Sequence, residues 1–157
     1  MTQRAEGRDN VKILFVCTGN TCRSPMAEGL FRKAAAEAGV LERYSCASAG
    51  ICAEDGAPAS ENAVKACREI GVDLSAHRAR RLDAADLLTY DVFAVMGRAP
   101  ADLLQSAGVP GDRIYLLGDP VADPYGGTLA DYRACRGQLS KGVLRLLNAL
   151  ENADGQK

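Results

Sequence analysis

Residues 11–28 constrain the fold more than any other stretch of the chain. Val11 to Val16 is a short apolar run broken only by Lys12, with the length and β-branched content of a buried strand. Ser24-Pro25 reads as a helix cap followed by the proline that suits a first helical turn. Between them lies Cys17-Thr18-Gly19-Asn20-Thr21-Cys22-Arg23, whose glycine and asparagine tolerate unusual backbone angles. The stretch predicts a strand, a tight loop and a helix, with a cysteine opening the loop and an arginine closing it. A loop wound ahead of a helix N-terminus aims several backbone N–H groups at one point and forms a concave anion site. Arg23 adds a planar, two-pronged grip on tetrahedral oxygens. In the same positive field the Cys17 thiol ionises more readily than a free one, and the thiolate is a nucleophile.

The rest of the chain supplies a frame for that loop. With 157 residues there is enough length for one domain with a proper core. A helix is expected from Pro25 to Ala38, ended by Gly39, and a second strand from Arg43 to Ser48. Residues 51–59 read as loop and Ser60 to Ile70 as a helix capped by Ser60, with Gly71 as its stop. A short helix over Leu82–Leu88, a strand over Asp91–Met96 and a helix over Ala99–Ala107 follow. The last elements are a strand at Arg113–Leu117 and a long closing helix over Thr128–Leu150. Strands alternating with helices predict a single α/β domain, a parallel doubly wound sheet covered on both faces. In such sheets ligands bind beyond the C-terminal ends of the strands, which is where Cys17 falls. Residues 1–10 read as a flexible leader and 11–152 as the domain.

Charge and cysteine content narrow the function classes. Nineteen basic and 20 acidic side chains give a net charge of −1, which argues against nucleic-acid binding. No apolar stretch is long enough to span a membrane, and the polar first ten residues carry no signal-peptide segment. A cytoplasmic monomer with six reduced cysteines is the expectation. Cys17 and Cys22 have poor zinc spacing, so neither metal nor cofactor is expected; a reversible disulfide between them would shield Cys17 from irreversible oxidation. Cys46, Cys52, Cys67 and Cys135 read as packing residues. Arg78, Arg80 and Arg81 read as a solvated charge cluster rather than a substrate-facing patch. A general acid is needed to protonate a leaving group, and one carboxyl can later serve as base. The residues alone leave Asp119-Pro120 and Asp123-Pro124 both open for it.

Val16-Cys17-Thr18-Gly19-Asn20-Thr21-Cys22-Arg23-Ser24-Pro25-Met26-Ala27-Glu28 resembles the signature of the low-molecular-weight protein-tyrosine phosphatase family, which lies near the N-terminus. The resemblance implies a four-stranded doubly wound sheet and a phosphocysteine intermediate on Cys17. It implies phosphate binding by Thr18, Gly19, Asn20, Thr21, Cys22 and Arg23, and donation from Ser24 to the Cys17 thiolate. The family's acid sits in an Asp-Pro-aromatic-x-Gly motif, which Asp123-Pro124-Tyr125-Gly126-Gly127 matches and Asp119-Pro120-Val121 does not. Tyr125 then borders the substrate. His77, in Ala76-His77-Arg78-Ala79-Arg80, resembles the family's His-x-Ala-Arg segment, which implies a network of His77, Asn20 and Ser48 bracing the loop.

Two positions point to a branch. Tyrosine phosphatases of the family commonly carry Ile or Val where this chain has Thr21, and a second tyrosine where it has Gly126. The pattern here resembles the bacterial protein-arginine phosphatases, which implies phosphorylated proteins as substrates and phosphoarginine as the group removed. Thr21 offers a hydroxyl where an apolar wall would stand, and a guanidinium brings several donors. Losing the second aromatic weakens a slot for a phenyl ring. Met96-Gly97 departs from the aspartate that tyrosine-specific relatives often have after this strand. A tyrosine phosphatase is the alternative. Arsenate reductases share the loop but need cysteines after the third strand, and none lies between Cys67 and Cys135. A non-enzymatic phosphate-binding module would need neither Cys17 nor Asp123.

Overall fold

The computed structural model describes residues 10–118 and 120–155. The leader at 1–9 and Asp119 lie outside the described residues; Asn10 is tied to the second strand by a bond from Ser45 Oγ to its Oδ1 at 2.6 Å. Four strands form one sheet: β1 (Val11–Cys17), β2 (Tyr44–Gly50), β3 (Val92–Val95) and β4 (Ile114–Leu116). Their spatial order is β2-β1-β3-β4 and every pairing is parallel. Among the described residues five α-helices run α1 (Arg23–Glu37), α2 (Glu61–Arg68), α3 (Ala84–Thr89), α4 (Arg98–Ser106) and α5 (Leu129–Gly155). This is the expected single α/β domain.

The apolar run of β1 is continuous because both of its faces are covered. Ile13 and Phe15 point into a core shared with Met26, Leu30 and Phe31 of α1 and Leu139, Val143 and Leu146 of α5. Leu14 and Val16 point the other way, into a smaller core with Phe93, Val95, Leu104 and Val109. β1 is flanked by β2 on one side and β3 on the other. The chain therefore leaves β1 in one direction and later returns on the opposite side, and the crevice this opens at the strand ends holds Cys17.

Several boundaries shift for identifiable reasons. α1 begins at Arg23, before the expected Pro25, because Met26 N–H already bonds Cys22 C=O at 3.1 Å. Ser24 is therefore inside the first turn and is not the cap. Ser60 occupies the N-cap position of α2, yet its side chain makes no capping bond. α3 starts at Ala84, since Asp83 caps it and exchanges bonds with Asp86 in a capping box. α5 runs on to Gly155, past the expected Leu150. Its Gly142 lies against the chain after β4, where an added Cβ would sit 2.4 Å from Leu117 O.

Candidate active site

The loop after β1 curls so that Asn20 adopts a left-handed conformation, φ 58°, although it is not a glycine. Its fully buried side chain explains how. Asn20 Oδ1 accepts from Arg80 N–H at 3.0 Å, which fixes which end of the amide is nitrogen. That nitrogen donates to Ser24 Oγ at 2.8 Å and Ser48 Oγ at 2.9 Å. The Asn20 carbonyl meets His77 Nε2 at 2.7 Å. A carbonyl only accepts, so Nε2 carries the hydrogen and is already committed as a donor. Four partners, Ser24 close by and Ser48, His77 and Arg80 from two distant segments, thus hold one strained residue in place.

The same arrangement orients Cys17. Its Sγ lies 2.8 Å from Ser24 Oγ and accepts from Asn20 N–H at 3.3 Å. Because Ser24 Oγ already accepts from the Asn20 amide, its own hydrogen is free to point at the sulfur. Two donors thus converge on one sulfur and fix its direction. Cys17 itself is 3% exposed. Elsewhere burial pushes the Cys67 thiol up to about 11 and Cys135 up to about 12, and the half-buried Cys46 is also raised to about 12. These three remain protonated at neutral pH.

Cys22, at the far side of the loop, sits in a ring of hydroxyls. Its Sγ is 3.4 Å from Ser60 Oγ and 3.3 Å from Tyr132 Oη, and Ser60 Oγ donates to Tyr132 Oη at 3.2 Å. Each of the three groups can donate once and accept once around this ring. Burial and the bond to Cys22 push the Tyr132 phenol up to about 12. Ser60 also donates its backbone N–H to Thr21 C=O at 2.9 Å, so it grips the loop twice.

Arg23 opens α1 and turns its guanidinium across the cleft. Nη1 donates to Val121 C=O at 3.0 Å and Nη2 lies 3.6 Å from Asp123 Oδ2. Asp123 is half-exposed, and its Oδ1 accepts from Tyr125 N–H at 3.1 Å in a tight turn. Gly126 follows with φ 78°. The cleft has a volume of about 350 Å³ and is floored by Cys17 to Arg23. Cys52, Glu54 and Ala57 form one wall element, and Asp123 and Tyr125 lie on the rim. No group of His, Cys, Asp and Glu among the described residues is placed to hold a metal ion.

The structure thus brings Cys17, Thr18, Gly19, Asn20, Thr21, Cys22, Arg23, Asp123 and Tyr125 to one cleft, with Ser24, Ser48 and His77 directly behind it. Four features differ from, or were missing in, the sequence reading. Cys52 is exposed on the cleft wall and is not a packing residue. Arg80 is not solvated like the rest of its cluster, since its guanidinium makes two bonds to the buried Asp86, at 2.9 and 3.0 Å. Ser60 and Tyr132 reach Cys22 from 38 and 110 residues away, a pairing with no local signal. Glu54 lines the cleft only because the 51–59 loop folds back onto Thr18.

Residues 12–156 match the family described as low molecular weight phosphotyrosine protein phosphatase. A probable low-molecular-weight protein-tyrosine-phosphatase, EpsP of Ralstonia nicotianae, is 35% identical over 136 residues, covering 83% of this chain and 90% of the relative. A protein-arginine-phosphatase of Geobacillus stearothermophilus is 35% identical over 150 residues, covering 89% and 96%. Among solved structures, the low-molecular-weight protein tyrosine phosphatase from T. tengcongensis superposes with a TM-score of 0.80 at 37% identity, covering 88% of this chain and 99% of that one. Parallel four-stranded sheet, loop and relatives agree: the chain belongs to the low-molecular-weight protein phosphatase family and is a cysteine-dependent phosphoprotein phosphatase.

Proposed function

We propose that the chain removes phosphoryl groups from arginine side chains of proteins, with Cys17 as nucleophile, Arg23 as phosphoryl clamp and Asp123 as general acid and then base. The Cys17 thiolate attacks phosphorus and the P–N bond breaks. Asp123 gives its proton to the departing guanidine nitrogen. The phosphocysteine is then hydrolysed by a water whose proton Asp123 takes back, releasing phosphate and the thiolate. Backbone N–H groups of the loop and the Arg23 guanidinium stabilise the phosphoryl oxygens as charge moves across them.

The observation that carries the arginine reading is Thr21 on the cleft lining, with Gly126 beside a single rim aromatic, Tyr125. A guanidinium has N–H donors that need acceptors, and the Thr21 hydroxyl and the unprotonated oxygen of the Asp123 carboxyl supply them. Its relatives named as arginine phosphatases support this choice. Phosphotyrosine is the second reading, favoured by Tyr125, which is 74% exposed on the rim and free to face a phenyl ring.

Thr21→Val separates them. It removes one polar partner at nearly constant volume, and a donor left unpaired in a desolvated site costs about 1–3 kcal/mol. The expected loss in kcat/KM toward phosphoarginine is roughly five- to 150-fold, while phosphotyrosine turnover holds or rises. Wild-type preference for phosphotyrosine, or parallel changes in both substrates, would reject arginine specificity.

A further inference from the structure

The phosphatase chemistry leaves one carboxylate of the cleft lining without a role. Glu54 lines the cleft beside Thr18 to Arg23, and its side chain is exposed. Its position is not that of a loose surface residue. Ile51 N–H bonds Cys17 C=O at 2.9 Å and Cys52 N–H bonds Thr18 C=O at 2.8 Å, so the chain leaves β2 attached to the phosphate loop. Ala57 N–H closes a turn on Glu54 C=O at 3.2 Å, and Gly56 N–H bonds Ala79 C=O at 2.8 Å. Gly50 permits this close approach, since a Cβ there would sit 2.7 Å from Thr18 O. The neighbouring Asp55 is used up on Arg81 N–H at 2.7 Å, whereas the Glu54 carboxylate faces the cleft with no such partner among the described residues.

A carboxylate at the mouth of a site for a phosphoryl dianion is a liability by itself. It repels the substrate, and among the described residues the lining of this cleft holds one cation, Arg23, already shared with Asp123. The repulsion becomes attraction when the substrate carries a positive charge close to its phosphoryl group. We infer that Glu54 is a specificity-determining residue that pairs with such a charge, supplied by the substrate's own guanidinium or by a basic residue next to the phosphorylated one. This inference needs the phosphatase activity but not the arginine reading.

Three peptides test it on wild type, Glu54→Gln and Glu54→Lys: phosphoarginine with neutral flanks, phosphotyrosine with neutral flanks, and phosphotyrosine next to an arginine. Ion pairs at an exposed rim are modest, so Glu54→Gln should lower kcat/KM about two- to fivefold for a cationic substrate. The loss should appear in KM, grow with Glu54→Lys and shrink at high salt. Neutral-flanked phosphotyrosine should hold or improve. Whichever cationic peptide loses activity identifies the source of the charge. A wild type inactive on phosphoarginine would reject the arginine reading alone, because the two phosphotyrosine peptides still decide the role of Glu54. Equal changes for charged and neutral peptides, or no change in either, would overturn it.

Discussion

Asp123 is held from two directions, by Tyr125 N–H on one oxygen and by Arg23 on the other at 3.6 Å. The turn points a half-exposed carboxylate at the cleft without burying it, which suits the proposed role of passing protons to and from water between the two chemical steps. Asp123→Asn keeps the turn's acceptor oxygen and removes the exchangeable proton. Its kcat should fall by about 10²–10⁴, and the loss should shrink along a series of aryl phosphates with increasingly acidic leaving groups. A larger loss in Asp119→Asn would move the acid to the other Asp-Pro. At this scale the sequence was most informative: Cys17, Arg23 and Asp123 lie in short local patterns, and the structure gathers them. Glu54 was invisible because nothing in residues 51–59 encodes the bonds to Cys17, Thr18 and Ala79 that turn that loop inward.

Elements meet at Cys22. The loop, the N-terminus of α2 through Ser60 and the first turn of α5 through Tyr132 converge on one sulfur. Around the ring Cys22 accepts from Tyr132 and donates to Ser60. These bonds hold its sulfur in place, and the expectation is that this sulfur attacks a Cys17 sulfenic acid made by peroxide, forming the disulfide and releasing water. Tyr132→Phe should leave reduced-enzyme turnover close to wild type. After peroxide treatment it should recover less activity on thiol reduction, because slower disulfide closure leaves Cys17 open to sulfinic acid. Equal recovery of the two proteins, followed by mass spectrometry of the Cys17 peptide, would remove Tyr132 from the redox step. The sequence offered Ser60 as a helix cap, which is what its position beside Glu61 suggests; the distant Tyr132 takes the hydroxyl away from that local use.

For the molecule as a whole, acid stability should depend on the pair behind the loop. Burial raises the Asp86 carboxyl, but the bonds from Arg80 and Asp83 N–H outweigh it and leave it below the usual carboxylate range. A carboxyl lowered in the folded state contributes stability above its unfolded value of about 3.9, and that contribution is lost as pH falls through the folded value. Asp86→Asn should cost about 1–3 kcal/mol at neutral pH, a fall in Tm of roughly 2–10 °C for a chain of this size. Its stability should also decline less steeply than wild type below pH 4. Parallel Tm–pH curves for the two proteins would show that the pair adds nothing. Glu69, which is surface-exposed, is drawn down to about 2 by Arg133 and Arg136 and titrates over the same range in both proteins, so the difference between the curves isolates Asp86. Much of this frame was legible in the alternation of strand and helix patterns, because buried strands and amphipathic helices declare themselves locally. The Arg80–Asp86 pair was not, since a run of arginines looks alike whether or not one of them finds a carboxylate.

The placement of β1 also bears on synthesis. The loop that ends it leaves the ribosome before the groups that shape it, which come from Ser48, Ser60, His77, Arg80, Val121 and Tyr132, in that order along the chain. Chains fold as they emerge from the N-terminus, but contacts at such separations cannot form before their later partner exists. Arg23 lacks its carbonyl partner until Val121 is out, and Cys22 lacks Tyr132 until the first turn of α5 follows. The nascent protein thus carries Cys17 for most of translation without the finished loop around it, and chains released before α5 should be catalytically silent.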